Sequence, residues 1–433
     1  MDRPLPEDRC APTEAAQSWQ ERSYAYVLVF FWVAWLWSLA FKAQAIVGIA
    51  LLGLAICAQL GWQTGRLRYR WEVWRAFVLF WRKPDYALPT ALFVAFLAAS
   101  LCFDMEPRLQ RRSIEFSALA FGVPVLLFVS RRFLVRHAEL LQQAWLGLAS
   151  LAAAGVLIYW TQNAQGLNVA FAQGRAMPMP TAHTRHGMLL AAAILFGLQQ
   201  LIQGRLGRGY RLAVSLGVLL CLAAIHVEGA RTPLMLTYIG VGLWLLRQLL
   251  RRFGPGAALG GGLLVVLSLV LAVQFVPSLA IKWAYTRYQL ERLRQADAYE
   301  YSDNARLASL QVAADIVAEH PLVGSRGRLV HAMEEGYRAR GIELRAFLRP
   351  HSEYLYSWTA IGVAGLLGCL AVLFGPLATR HWWTTPLLLE LVVMWAVLCL
   401  LDAPLQSDLG MSIVLGSVYL AKLSFAGQGA FAK

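Results

Sequence analysis

Apolar runs close to 20 residues long recur along this chain and limit it to one kind of fold. A hydrocarbon layer about 30 Å thick is crossed by roughly 20 helical residues, and backbone polar groups inside it must bond within the helix. About twelve such runs are present. Their cores lie at 24–41, 45–60, 86–103, 113–129, 141–160, 187–202, 212–227, 233–246, 257–277, 354–374, 385–401 and 409–425. Composition agrees, with 58% hydrophobic and 15% charged residues in 433, against about 25% charged in a soluble domain. The expected fold is an all-α polytopic membrane protein of about 12 transmembrane helices, with a long, largely helical loop between helices 9 and 10. Three regions follow: 1–277 with helices 1–9 and short loops, 278–353 as the long loop, and 354–433 with helices 10–12.

The polar stretch before the first run, MDRPLPEDRCAPTEAAQSWQERS, is too long for the basic head of a signal peptide, and no small-residue cleavage site follows that run. The first run is expected to stay as an anchor. Five of the six cysteines fall inside apolar runs, which excludes a disulfide framework and a cysteine-based metal site as expectations. The formal net charge of +14 does not point to nucleic acid. The basic residues lie in short loops between apolar runs, without a basic, aromatic-interleaved soluble module.

Those basic loops alternate. GRLRYRWEVWRAFVLFWRK, SRRFLVR, GRLGRGYR, RQLLRRFG and Arg380 fall on one side, which the positive-inside rule assigns to the cytoplasm together with both termini. DMEPRLQRR, carrying Arg108, Arg111 and Arg112, is the one outer loop that breaks the pattern. The other polar segments are then external: 161–186, the tight turn at Arg231, and 278–353. The last holds eleven Lys and Arg against ten Asp and Glu, so its charges serve structure or function rather than orientation.

Within that loop, 281–295 and 303–319 read as helices, the second capped by Ser302 or Asp303 and stopped at His320-Pro321. On a helical wheel Arg306 shares the apolar face with Leu310, Ala313 and Val317, while Gln311, Asp315 and Glu319 take the polar face. Such an arginine either pairs with Asp303 one turn back and snorkels, or points into a cavity where it needs an anion. Arg231 sits between two apolar runs, where Glu228 is one available partner and phosphate oxygens are another. Arg185, at the mouth of a span, fits an interfacial anchor equally well. His183 and His186 have a metal-compatible spacing but no carboxylate or cysteine nearby in sequence. PLVGSRGRLV, with Arg326 and Arg328, is a glycine-punctuated turn opening a short helix, and its backbone N–H groups suit an anion. His351, in RPHSEYLYSW, titrates near neutrality and is mostly neutral at pH 7. Glu353 is close enough in sequence to orient it.

The order of these pieces resembles the O-antigen ligase/polymerase superfamily. An arginine-led helix runs from Arg306 to a Pro-Leu-x-Gly turn ending at Gly324. His351, Ser352 and Leu355 then open a span holding Gly362, Gly365 and Leu366, and Gly229-Ala230-Arg231-Thr232 matches an earlier motif. Two positions depart from the pattern: Ser352 stands where asparagine is common, and Ala230 where serine is. Among the branches, the resemblance favours the lipopolysaccharide O-antigen ligases. Of the two Arg-x10-Gly loops often used to describe the polymerase branch, Arg231–Gly242 has the spacing, but Arg306 meets Val317.

The resemblance implies an undecaprenyl diphosphate-linked O-antigen as donor and a lipid A–core oligosaccharide as acceptor. The glycan would be transferred on the periplasmic side of a bacterial inner membrane, with membrane lipids as the surroundings. His351 would be the catalytic base in an inverting displacement. Arg231 and Arg306, with Arg185 and Arg326, would bind the diphosphate, and Glu353 and Arg349 would support them. The first outer loop is essentially Lys42, Ala43 and Gln44, without the acidic metal ligands that many lipid-linked glycosyltransferases carry there. A mechanism without metal or cofactor is therefore expected. An O-antigen polymerase, a protein O-oligosaccharyltransferase and a transporter of lipid-linked sugars are the alternatives. The transporter is disfavoured because no internal repeat is visible and the charges gather on one face.

Overall fold

The computed structural model describes residues 78–129, 131–172, 177–179, 182–203, 207–228, 230–275, 277–292, 302–342, 349–379 and 382–430. All regular structure among them is helical. The helices are α1 (Pro84–Cys102), α2 (Pro107–Val129), α3 (Arg131–Ala172), α4 (His183–Ile202), α5 (Arg208–Val227), α6 (Arg231–Phe253) and α7 (Pro255–Phe275). They continue with α8 (Pro277–Arg292), α9 (Ser302–Glu319), α10 (Leu329–Ala339), α11 (Glu353–Ile361), α12 (Val363–Phe374), α13 (Leu388–Leu401) and α14 (Asp408–Ala430). A 3₁₀ turn at Leu88–Thr90 interrupts α1, and Pro404–Gln406 forms another between α13 and α14.

Five of these helices are long and apolar enough to cross a membrane: α1, the 137–172 part of α3, α4, α5 and α6. Shorter apolar helices accompany them at Pro255–Ser268, Val363–Leu377, Leu388–Leu401 and Leu409–Ser424. The first two expected spans, 24–41 and 45–60, lie outside the described residues.

Two expected boundaries change. The span at 141–160 does not end in a loop: α3 runs on to Ala172, with one non-helical residue at Asn163. Its extension is held on one side by buried Leu167 and Phe171. The span at 354–374 is not one helix. Gly362 takes φ +71°, a left-handed conformation that stops α11 and restarts the chain as α12.

The core is built around α4, which packs on α3, α5, α6 and α14. Met188 to Phe196 are all buried, so this helix meets protein on every side, as an apolar helix without an outer polar face must. Small residues permit the approach, as membrane helices require. A Cβ at Gly187 would collide with the Pro233 ring, so the first turns of α4 and α6 lie against each other. By contrast α7 exposes Leu259, Leu263, Leu267, Leu271 and Phe275 along its length, a surface suited to acyl chains.

Two buried ion pairs pin one end of the bundle. Arg247 of α6 donates to both carboxylate oxygens of Glu390 at 2.9 and 2.8 Å, and to the carbonyls of Trp383 and Thr385. Lys422 of α14 pairs with Asp85 of α1, whose carbonyl accepts the Tyr419 hydroxyl at 2.6 Å. Arg231 and Arg247 stand about 24 Å apart along α6 at 1.5 Å per residue. The polar cluster described next occupies the opposite end.

Candidate functional site

The site is assembled where the first turns of α4, α6, α9 and α11 meet the loop between α13 and α14. His351 precedes α11 and is held by its own backbone N–H, which donates to the Ser309 hydroxyl of α9 at 3.4 Å. Its side chain is 22% exposed, and Nδ1 lies 3.9 Å from Oδ1 of Asp402. Burial, and next the Arg306 guanidinium, lower its pKa from the ordinary 6.5, while Asp402 pulls the other way. The imidazole is thus held neutral at pH 7.

Arg306 occupies the apolar face of α9 that the helical pattern assigns to it. Ala313 and Val317 of that face are buried, and Gln311, Asp315 and Glu319 are exposed. The buried Nε of Arg306 has no hydrogen-bond partner, while the Asp303 side chain, one turn back, lies outside the described residues. Holding a cation half-buried in that state is costly, because its desolvation goes uncompensated.

Glu353, the first residue of α11, is fully buried. Its carboxylate accepts from the Leu405 N–H at 2.9 Å, the Gln406 amide at 2.6 Å and the Ser357 hydroxyl at 3.4 Å, while its backbone N–H donates to the Asp402 carbonyl. Burial outweighs these donors and pushes its pKa up to about 7. The Ser352 hydroxyl donates to the Cys399 carbonyl at 3.1 Å. Residues 352 and 353 thus fasten α11, and His351 with it, to the end of α13.

On the other flank, Arg185 in the first turn of α4 donates Nε–H to the Ser407 hydroxyl at 2.7 Å. Arg231 opens α6 and is half-buried, and the Gly187–Pro233 contact makes it the neighbour of Arg185 on the adjoining helix end. Glu228, read from the sequence as one partner for Arg231, is instead engaged with His186, Nδ1 to Oε1 at 2.5 Å, both buried. That pair takes His186 out of any pairing with His183 on a metal.

Two sequence-predicted residues stand apart. Arg349 is half-buried and acts electrostatically on Tyr356, one turn beyond Glu353. Arg326 is exposed and lies beyond the far end of α9, about 20 Å of helical rise from Arg306. Its turn is no anion nest either. The N–H groups of Gly324 to Arg328 are all spent on protein carbonyls, those of Ser325 and Gly327 on Thr359 and Ala360 at 2.7 and 2.8 Å. The turn docks onto α11 so closely that a Cβ on Gly324 would sit 2.5 Å from the Thr359 carbonyl, and one on Gly362 would overlap the Leu322 carbonyl. The Pro-Leu-x-Gly turn and the glycine-broken span are two halves of one joint.

Asp402, Gln406 and Ser407 escaped the sequence reading. They occupy the short gap between two apolar runs, and their partners lie 50 to more than 200 residues away, which no periodic pattern records. The one available signal was a run of polar residues, DAPLQSD, too rich for a simple turn between spans.

No curated protein matches this chain. A family profile described as O-antigen ligase matches residues 216–370, from within α5 to within α12. The match takes in Arg231, Arg306, His351 and both glycines of the joint. Over this segment the chain is similar to the O-antigen ligase family, which supports the superfamily that its motifs resemble.

Proposed function

We propose that this protein is an O-antigen ligase, transferring a glycan from undecaprenyl diphosphate to a lipid A–core oligosaccharide at the periplasmic face of the inner membrane. The observation that supports this is a histidine beside Asp402, kept neutral by burial and by the Arg306 guanidinium, whose own buried Nε has no hydrogen-bond partner.

The acceptor hydroxyl attacks the anomeric carbon of the donor sugar. Its proton passes to Nε2 of His351, the bond from the anomeric carbon to the diphosphate oxygen breaks, and undecaprenyl diphosphate leaves. A direct displacement inverts the anomeric centre. Asp402, beside Nδ1, orients the ring and stabilises the imidazolium that forms. Because the leaving group is already a diphosphate, catalysis consists mainly of placing positive charge where negative charge grows. Arg306, Arg231 and Arg185 supply it with guanidinium forks whose charge persists at any working pH. That supply leaves no step that needs a metal ion.

The test is made in cells that cap their lipopolysaccharide through this protein alone. Alanine at His351, Arg231 or Arg306, in stably inserted protein, is expected to remove capped lipopolysaccharide. Capped material persisting with all three changed refutes the site. Deletion of the gene is expected to leave cores with no repeat unit, whereas single repeats on the core would assign the protein to the polymerase branch.

A further inference from the structure

The oxygen of Ser407 carries three hydrogen bonds. It donates to the Pro404 carbonyl at 3.0 Å, accepts the Gly410 N–H at 3.0 Å and accepts the Arg185 Nε–H at 2.7 Å. The second is what a helix N-cap does for α14, and the first ties the hydroxyl proton back to the preceding 3₁₀ turn. The third is neither, because a cap has no use for an arginine from another helix. It spends the one guanidinium donor that lies along the side chain. Among the described residues the two terminal nitrogens of Arg185 make no hydrogen bond, and fixing Nε fixes the plane in which they point. A bidentate grip on phosphate oxygens depends on that plane.

The neighbouring residues bind the other side of the site. Asp402 faces His351, and Leu405 and Gln406 hold the Glu353 carboxylate two residues beyond it. The whole connection is buried or half-buried, with Ser407 itself 8% exposed. One six-residue loop therefore touches both the candidate base and a candidate phosphate-binding cation.

We propose that Ser407 is a positioning residue for the donor diphosphate: its hydroxyl sets the plane of the Arg185 guanidinium, and the loop it closes fixes the distance from that fork to His351. This rests on the ligase reading above and adds a residue to it.

The test uses the full-length protein in lipid nanodiscs, with an undecaprenyl diphosphate-linked oligosaccharide as donor and purified lipid A–core as acceptor. Ser407→Ala is expected to raise the donor KM about tenfold, the size of one lost orienting hydrogen bond, with the acceptor KM unchanged. Ser407→Thr, which keeps the hydroxyl, is expected to retain the wild-type donor KM. Arg185→Ala combined with Ser407→Ala is expected to be no worse than Arg185→Ala alone, because both changes remove the same fork. Ser407→Asp still caps α14 but neutralises Arg185. It is expected to melt with the wild type and lose donor affinity, and it carries the comparison if the alanine variant does not fold. A wild-type donor KM in the folded Ser407 variants, with Arg185→Ala impaired, makes Ser407 a helix cap only and overturns the inference while the ligase reading stands. A wild-type donor KM in Arg185→Ala removes Arg185 from the donor site and the inference with it.

Discussion

At His351 burial and the Arg306 charge act in the same direction, and Asp402 opposes them. The acid limb of the pH–rate profile is therefore expected below the ordinary histidine value, with activity falling as pH drops through it. Asp402→Asn removes the group that holds the pKa up, so this limb moves to still lower pH while kcat falls because the ring loses its orienting partner. Profiles of kcat/KM for the two proteins check both statements. Glu353 behaves in the opposite sense. Its folded pKa near 7 lies above the ordinary 4.5, so the folded state holds the extra proton. The associated stability is complete below about pH 4.5 and is lost as pH rises through 7. Thermal unfolding of the wild type is expected to weaken across that window by roughly 3 kcal/mol at 1.36 kcal/mol per unit, and Glu353→Gln is expected to flatten the slope. His351 and Arg306 were legible in the sequence because one opens a motif and the other breaks the polarity of a helix face. Asp402, Gln406 and Ser407 were not, because what defines them is contact across the fold.

The elements tell a similar story. The helix at 303–319 and its polar and apolar faces followed from periodicity, and α9 places them accordingly. The run at 354–374 read as one span because hydropathy registers apolar content and ignores φ. Gly362 was visible as a glycine, but the partner that makes it obligatory, the Leu322 carbonyl, lies 40 residues upstream. The joint it forms with the Gly324 turn holds the far end of α11 while Glu353 holds the near end. Gly324→Ala adds a side chain at φ +58° against the Thr359 carbonyl. It is expected to cost about 2–4 kcal/mol, combining left-handed backbone strain with overpacking. Loss of activity is expected to accompany the lowered Tm, since α11 carries His351.

At the scale of the whole molecule, two of the buried ion pairs lie at the end of the bundle away from the candidate site. Glu390 had no sequence-level explanation inside its apolar run; its partner Arg247 lies 143 residues earlier in the chain, and the two bind α13 to α6 away from the site. Glu390→Gln leaves Arg247 uncompensated and is expected to cost about 3–5 kcal/mol, whereas joint replacement by Leu and Met restores much of it. Activity per folded molecule is expected to survive that double change, because the pair stands about 24 Å from Arg231 along α6. The membrane class was legible from run length alone, and the superfamily from the order of the motifs. The charge alternation had already assigned the candidate residues to one face, and the contacts of the 402–407 loop join His351, Glu353 and Arg185 there.

The central claim is that His351 deprotonates an acceptor sugar while the arginines hold a departing diphosphate. The most direct measurement incubates the purified protein with an α-linked undecaprenyl diphosphate glycan and lipid A–core, and determines by NMR the anomeric configuration of the product. The account predicts a β-linked glycan on the lipid A–core, released undecaprenyl diphosphate, and neither product from His351→Ala. Retained α configuration, or wild-type yield from His351→Ala, would contradict it.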